Sequence, residues 1–151
     1  MEVRIDPLCR HAHLADSVAS LVYEEFWRDR AGGMTLDELR AHFRGVGEPV
    51  RLPIALVALA DGELAGTVSL IDNDDRNRRH LHPWLAAMVV AGRFRGQGIG
   101  TRLVQALLAQ AARLGYRTVY FGTDGPGFYE RLGAKPHEQV TPEFRIMRFD
   151  T

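Results

Sequence analysis

Three glycines fall in five positions, Gly96, Gly98 and Gly100, within the stretch Arg93-Phe94-Arg95-Gly96-Gln97-Gly98-Ile99-Gly100. Glycine costs about 0.5–1 kcal/mol relative to alanine in regular structure, so the cluster answers a demand for positive φ or for contact with bare backbone. Directly after it begins a long helical pattern, and the first amides of a helix lack intrahelical partners and sit at the positive end of its dipole. The chemistry on offer is the binding of a phosphate or pyrophosphate, with Arg93 or Arg95 adding charge. A sharp turn or close helix packing would use the same glycines. The dinucleotide fingerprint G-x-G-x-x-G would need glycine where Thr101 or Leu103 stands, and a Walker loop needs Gly-Lys-Ser/Thr, whereas Lys135 is the only lysine.

Other reactive residue types are sparse. Cys9 is the single cysteine, which excludes an intramolecular disulfide and any metal site built on several thiolates. It lies near the N-terminus with no base tied to it and reads as inert. His11 and His13, and likewise His80 and His82, are two apart without a third ligand at a defined spacing, so no metal is expected.

The elements that must position the glycines follow from periodicity. "EVRID" alternates as a short strand that stops at Pro7, and Val18, Leu21, Val22 and Phe26 repeat at helical spacing. Thr35 and Glu38 form a capping-box pattern ahead of Leu36, Leu39 and Phe43, which predicts a second helix ended by Gly45, Gly47 and Pro49. "IALVALA" and "LAGTVSLI" flank Asp61-Gly62, a hairpin signal. After the polar loop "DNDDRNRRHLHP", "WLAAMVV" is apolar without alternation and reads as a central strand buried on both faces. Ile99, Leu103, Ala106, Leu107, Ala111 and Leu114 mark the long helix, with Gly115 as a left-handed cap. "TVYFGT" is a strand, "PGFYERLG" a short helix and "EFRIMRFD" a last strand, with a further strand conceivable in "KPHEQV". The order is β-α-α-β-β-β-α-β-α-β, an α/β fold with a mixed sheet flanked by helices.

At 151 residues and 46% hydrophobic, the chain suits one domain over residues 1–151. Its 19 basic and 19 acidic residues cancel, which leaves no positive field for nucleic acid or an anionic membrane. The longest apolar run, "LPIALVALA", is far short of the ~20 residues that span a bilayer, and no targeting segment is legible, so a soluble, cytoplasmic protein is the default.

Arg95-Gly96-Gln97-Gly98-Ile99-Gly100, between a strand and a helix, resembles the Arg/Gln-x-x-Gly-x-Gly/Ala signature of the GCN5-related N-acetyltransferase (GNAT) family. "FYERLGA" resembles that family's second segment on the cofactor side, and the element order is similar to its fold over nearly the whole chain, a mostly antiparallel mixed sheet. The resemblance implies that backbone groups of Arg95, Gly96, Gln97, Gly98, Ile99 and Gly100 bind the pyrophosphate of acetyl-CoA, with Thr101 adding its hydroxyl. It implies that Met88, Val89 and Val90 lie along the pantetheine arm as an extra strand would, with one of their amides stabilising an oxyanion. A splay between strands 85–90 and 118–122 would make room.

Tyr129 is then the candidate proton donor to the leaving thiolate, since a tyrosine with a pKa near ~10 stays protonated at neutral pH. Family members that place a glutamate base on the central strand differ from this chain, whose "LAAMVV" has no ionisable group. Ordered water, Glu24, Glu25, Asp124, His80 and His82 remain as proton acceptors. The implied activity is acetyl transfer from acetyl-CoA to a primary amine of a small molecule or peptide by direct attack in a ternary complex. The alternatives are a non-catalytic acyl-CoA-binding or regulatory module and a domain for another nucleotide diphosphate. The acceptor side is expected from the first two helices and loop 72–83, the latter read as solvated and flexible. Homodimers occur among similar proteins, but no interface is legible here.

Overall fold

In the computed structural model, which describes residues Met1–Thr151, one seven-stranded sheet carries four helices. The strands are β1 (Val3–Pro7), β2 (Ile54–Ala60), β3 (Glu63–Ile71), β4 (Trp84–Val90), β5 (Thr118–Thr123), β6 (Lys135–Gln139) and β7 (Arg145–Asp150). The helices are α1 (Ala15–Val22), α2 (Leu36–Arg44), α3 (Ile99–Arg113) and α4 (Gly127–Arg131). The strands lie in the order β1-β2-β3-β4-β5-β7-β6, and every neighbouring pair is antiparallel except β4 with β5. The expected mixed, mostly antiparallel architecture is therefore present, with β6 as a seventh strand at the edge.

Local signals act as read. The Thr35 hydroxyl accepts from the Glu38 amide at 3.1 Å, and the Glu38 carboxylate accepts from the Thr35 amide at 3.0 Å, closing the capping box. Asp61 and Gly62 both take positive φ, 48° and 85°, as the β2–β3 hairpin requires. Gly115, at φ 89°, ends α3, where the Tyr116 amide reaches back to the Ala111 carbonyl at 3.0 Å.

Two apolar layers fix the helices. Ile54, Leu56 and Ala58 point to the face covered by α3, where Ile99, Leu103, Leu107 and Ala111 are buried. Ala55, Val57 and Leu59 point to the opposite face, covered by α1 and α2 through Val18, Val22, Leu39 and Phe43. Strand β2, not β4, is thus the strand buried along its whole length on both faces. Strand β4 is central, but Ala86, Ala87 and Met88 remain partly open, because they line the cavity described below.

The helical pattern at Val18, Val22 and Phe26 also breaks. Residues Tyr23–Trp27 form a π-helical turn after α1, which rotates Phe26 out to 38% exposure and brings Trp27 inward. No helix is long and apolar enough to cross a membrane.

Candidate active site

The glycine stretch does what its composition asks. Gly96 and Gly98 both lie in the left-handed region, at φ 76° and 78°, with open space where a Cβ would stand. Gly98 caps α3, and its carbonyl accepts the first helical bond from the Arg102 amide at 3.2 Å. The amides of Ile99, Gly100 and Thr101 therefore precede any intrahelical partner. Gly100 has no positive φ, and a Cβ there would only come into ordinary contact with Phe128 at 3.4 Å and Met88 at 3.6 Å. These residues line a groove of about 450 Å³ together with Met88, Val89, Val90 and Thr101. Gln97 is exposed and outside that lining, while the Ile99 side chain is core.

The two arginines are otherwise engaged. Arg93 pairs with Glu63 and lies over the Phe94 ring, 4.5 Å from its centroid. Arg95 donates through Nε to the Val90 carbonyl at 3.0 Å and through a terminal nitrogen to Glu25 at 3.2 Å. Arg131, on α4, is the further cation lining the groove, and nothing in its spacing from the glycines announced it.

Strand β4 holds the centre. Its ladder with β5 amounts to one parallel pair, Trp84 with Tyr120, joined by the bond from the Tyr120 amide to the Pro83 carbonyl at 2.9 Å. Beyond it the strands part, giving the expected splay. The Ala91 amide bonds the Ala65 carbonyl of β3 at 2.8 Å, so the pleat turns the main chain of Val90 to the free edge. The Val89 carbonyl instead points at β3, against Gly66. The register with β3 slips between Thr67 and Ser69, and Ala87 opposite takes φ 54°. That is a bulge carried by a non-glycine residue, a conformation found where surrounding structure over-determines it. An alanine gives no sequence signal of it.

On the far side of Met88 opens a larger cavity of about 830 Å³, roofed by α1 and α2 and closed by loop 72–83 and the β5–α4 turn. Tyr129 lines it, its ring packed on Phe121 with centroids 4.4 Å apart. Burial pushes its hydroxyl above the ordinary tyrosine range and no hydrogen bond within the protein offsets it, so it keeps its proton at neutral pH. His42, half-buried on α2, is pushed down by loss of solvent and lines the same space.

Of the acid–base residues singled out in the sequence, Glu24, Glu25 and Asp124 line this cavity, whereas His80 and His82 do not. His82 instead meets Asp72 at 2.5 Å. In the sequence Asp74 is one of three carboxylates set against three arginines in loop 72–83, whose acidic half could steer a cationic amine but whose default reading is a solvated loop. Desolvation, then the nearby Asp75 carboxylate, push Asp74 up to about 6. It retains exposure because it stands at the cavity mouth.

Loop 72–83 is tied down more than its polar composition suggested. Arg78 bonds Asp75 at 2.8 Å and Glu138 of β6 at 2.5 and 2.9 Å, and Asn73 donates to the carbonyls of Arg78 and Leu81.

This geometry has relatives. The family model described as acetyltransferase (GNAT) family matches residues 19–134. Among solved structures, an aminoglycoside 6'-N-acetyltransferase complexed with coenzyme A superposes with a TM-score of 0.75 at 22% identity, over 97% of this chain and 96% of that one. A GNAT-family acetyltransferase from Streptococcus pneumoniae gives 0.69 at 18% identity, over 99% and 100%. An acyl-CoA N-acyltransferase from Pseudomonas aeruginosa gives 0.69 at 22% identity, over 97% and 99%. No curated protein sequence matches the chain. With the matched residues covering most of its length, including the glycine cradle and the open edge of β4, the chain belongs to the acetyltransferase (GNAT) family.

Proposed function

We propose that the protein transfers an acetyl group from acetyl-CoA to a primary amine of a small molecule or peptide by direct attack in a ternary complex. The observation that carries this reading is the free edge of β4. Met88 lines both the glycine groove and the larger cavity, so a thioester laid along that edge would meet an amine arriving from the other side.

The residues present suit the donor. Amides of Ile99, Gly100 and Thr101 take the pyrophosphate, with the approach left clear by Gly96 and Gly98 and with Arg131 alongside. Val90 offers its main chain to the pantetheine arm once the Arg95 side chain yields the carbonyl it now holds. The Met88 amide, two residues back along the same edge, is directed at the thioester carbonyl, where negative charge develops. The neutral amine forms the new N–C bond, the C–S bond breaks, and Tyr129 gives its proton to the departing sulfur. The proton shed by the amine passes to water in the open cavity, from which Tyr129 is recharged.

Calorimetric titration with acetyl-CoA, CoA and ADP, followed by an assay of thiol release with an amine acceptor, tests the reading. Binding that depends on the pantetheine arm and amine-dependent thiol release are expected. Equal binding of ADP would overturn the donor assignment, and binding without any transfer would favour the non-catalytic acyl-CoA module.

A further inference from the structure

Six carboxylates line the larger cavity, those of Glu24, Glu25, Asp29, Asp74, Asp75 and Asp124, against the guanidinium groups of Arg28 and Arg30. Four of the six are already matched. Glu24 and Asp29 pair with Arg28, Glu25 with Arg95, and Asp75 with Arg78. Asp74 and Asp124 are left without a cation, and they reach the same cavity from separate segments, one before β4 and one after β5. The behaviour of Asp74 agrees, since partial loss of solvent and a neighbouring carboxylate raise it and no cation acts against them.

A second observation is independent of charge. Ser69 lines the cavity from β3, is 2% exposed, and its Oγ has no hydrogen-bond partner. Buried hydroxyls are nearly always paired, so an unpartnered one in a cavity wall marks a position for a ligand's polar group. The remaining wall is largely apolar and includes the rings of Phe26, Trp27, Trp84, Phe121 and Phe144. A cavity of about 830 Å³ with an apolar wall and a few polar groups is of the size that holds a small organic molecule.

We infer that the acceptor is an organic diamine or polyamine, whose non-reacting ammonium group is held by Asp74 and Asp124 while Ser69 bonds a polar group of its body. The inference rests on the acetyltransferase reading above and names its acceptor class. The amine that attacks must be neutral, whereas these two carboxylates have use for a group that stays charged. A second ammonium on the same molecule reconciles the two demands.

The test compares 1,5-diaminopentane with pentylamine, equal in carbon chain, for binding to the CoA-loaded protein at neutral pH. The diamine is expected to bind at least about tenfold more tightly, the scale of one charge-assisted contact. Asp74→Asn and Asp124→Asn are each expected to remove most of that ratio, with unchanged thermal melting and unchanged CoA affinity as controls. A ratio near one, including no measurable binding of either amine, overturns the inference, as does a ratio that survives the double variant. Failure of the acetyltransferase reading is seen separately, as loss of pantetheine-dependent donor binding, which neither amine affects.

Discussion

Replacing Tyr129 by phenylalanine separates chemistry from packing. The ring is held by Phe121 at 4.4 Å, Phe128 at 5.0 Å and Phe149 at 6.5 Å between centroids, and phenylalanine keeps all three contacts. The hydroxyl forms no hydrogen bond within the protein, so removing it leaves no partner stranded. Folding stability should therefore change by less than about 0.5 kcal/mol. Turnover should fall much further. General-acid catalysis contributes typically about 10²–10⁴-fold, equivalent to roughly 3–5 kcal/mol of barrier. Acetyl-CoA affinity should hold within about twofold, because the group acts on charge that appears only in the transition state. The assay is thiol release under saturating acetyl-CoA, with thermal unfolding and calorimetric donor binding on the same sample. A folded variant that binds donor and turns over within about threefold of the parent would refute the proton-donor role. Burial also raises the folded-state pKa of Tyr129 above that of the unfolded chain. Its contribution to stability is therefore complete below pH ~10 and lost as pH rises through the folded value, so Tyr129→Phe should flatten part of the alkaline loss of stability.

The fold and donor groove offer three further tests. Gly98→Glu places a charged side chain in the open space before α3 and forces a left-handed φ on it; a stability loss of about 1–2 kcal/mol with at least a tenfold loss of CoA affinity is expected by calorimetry, and unchanged affinity in the folded variant would remove the phosphate assignment. Gly66→Ala sets a Cβ 2.8 Å from the Val89 carbonyl and 3.1 Å from a Leu103 methyl, against the back of the β4 bulge; overpacking there should destabilise by about 1–3 kcal/mol in chemical denaturation. Thr35→Ala opens the capping box of α2 and should lose about 0.5–2 kcal/mol without altering donor binding.

What could be read from the chain was whatever depends on near neighbours. The capping box at Thr35, the hairpin at Asp61-Gly62 and the cap at Gly115 each depend on residues a few positions apart, and each formed where expected. Strand β6 was only half legible because all five of its residues are exposed, so no apolar alternation marks it. Phe26 fits a helical stripe until a π turn inserts one residue into the repeat. The partner of Arg95 lies 70 positions away, beyond any local pattern. Asp74 looked like one charge among six in a balanced loop, and only the folded protein sets it at a cavity mouth while Arg78 occupies its neighbour.

The bulge at Ala87, the left-handed glycines and the unpaired edge of β4 have one thing in common: each presents backbone rather than a side chain. Away from the glycines themselves, a surface of that kind tolerates many amino-acid replacements, because a peptide amide is the same whichever residue carries it. The glycine groove can thus vary in sequence so long as the left-handed glycines and a few dihedral angles survive. The larger cavity, lined by carboxylates, a hydroxyl and aromatic rings, presents side chains instead, and single substitutions rewrite it. One chain thereby sets a surface defined by backbone shape beside a surface defined by side-chain chemistry, and the second can change without disturbing the first.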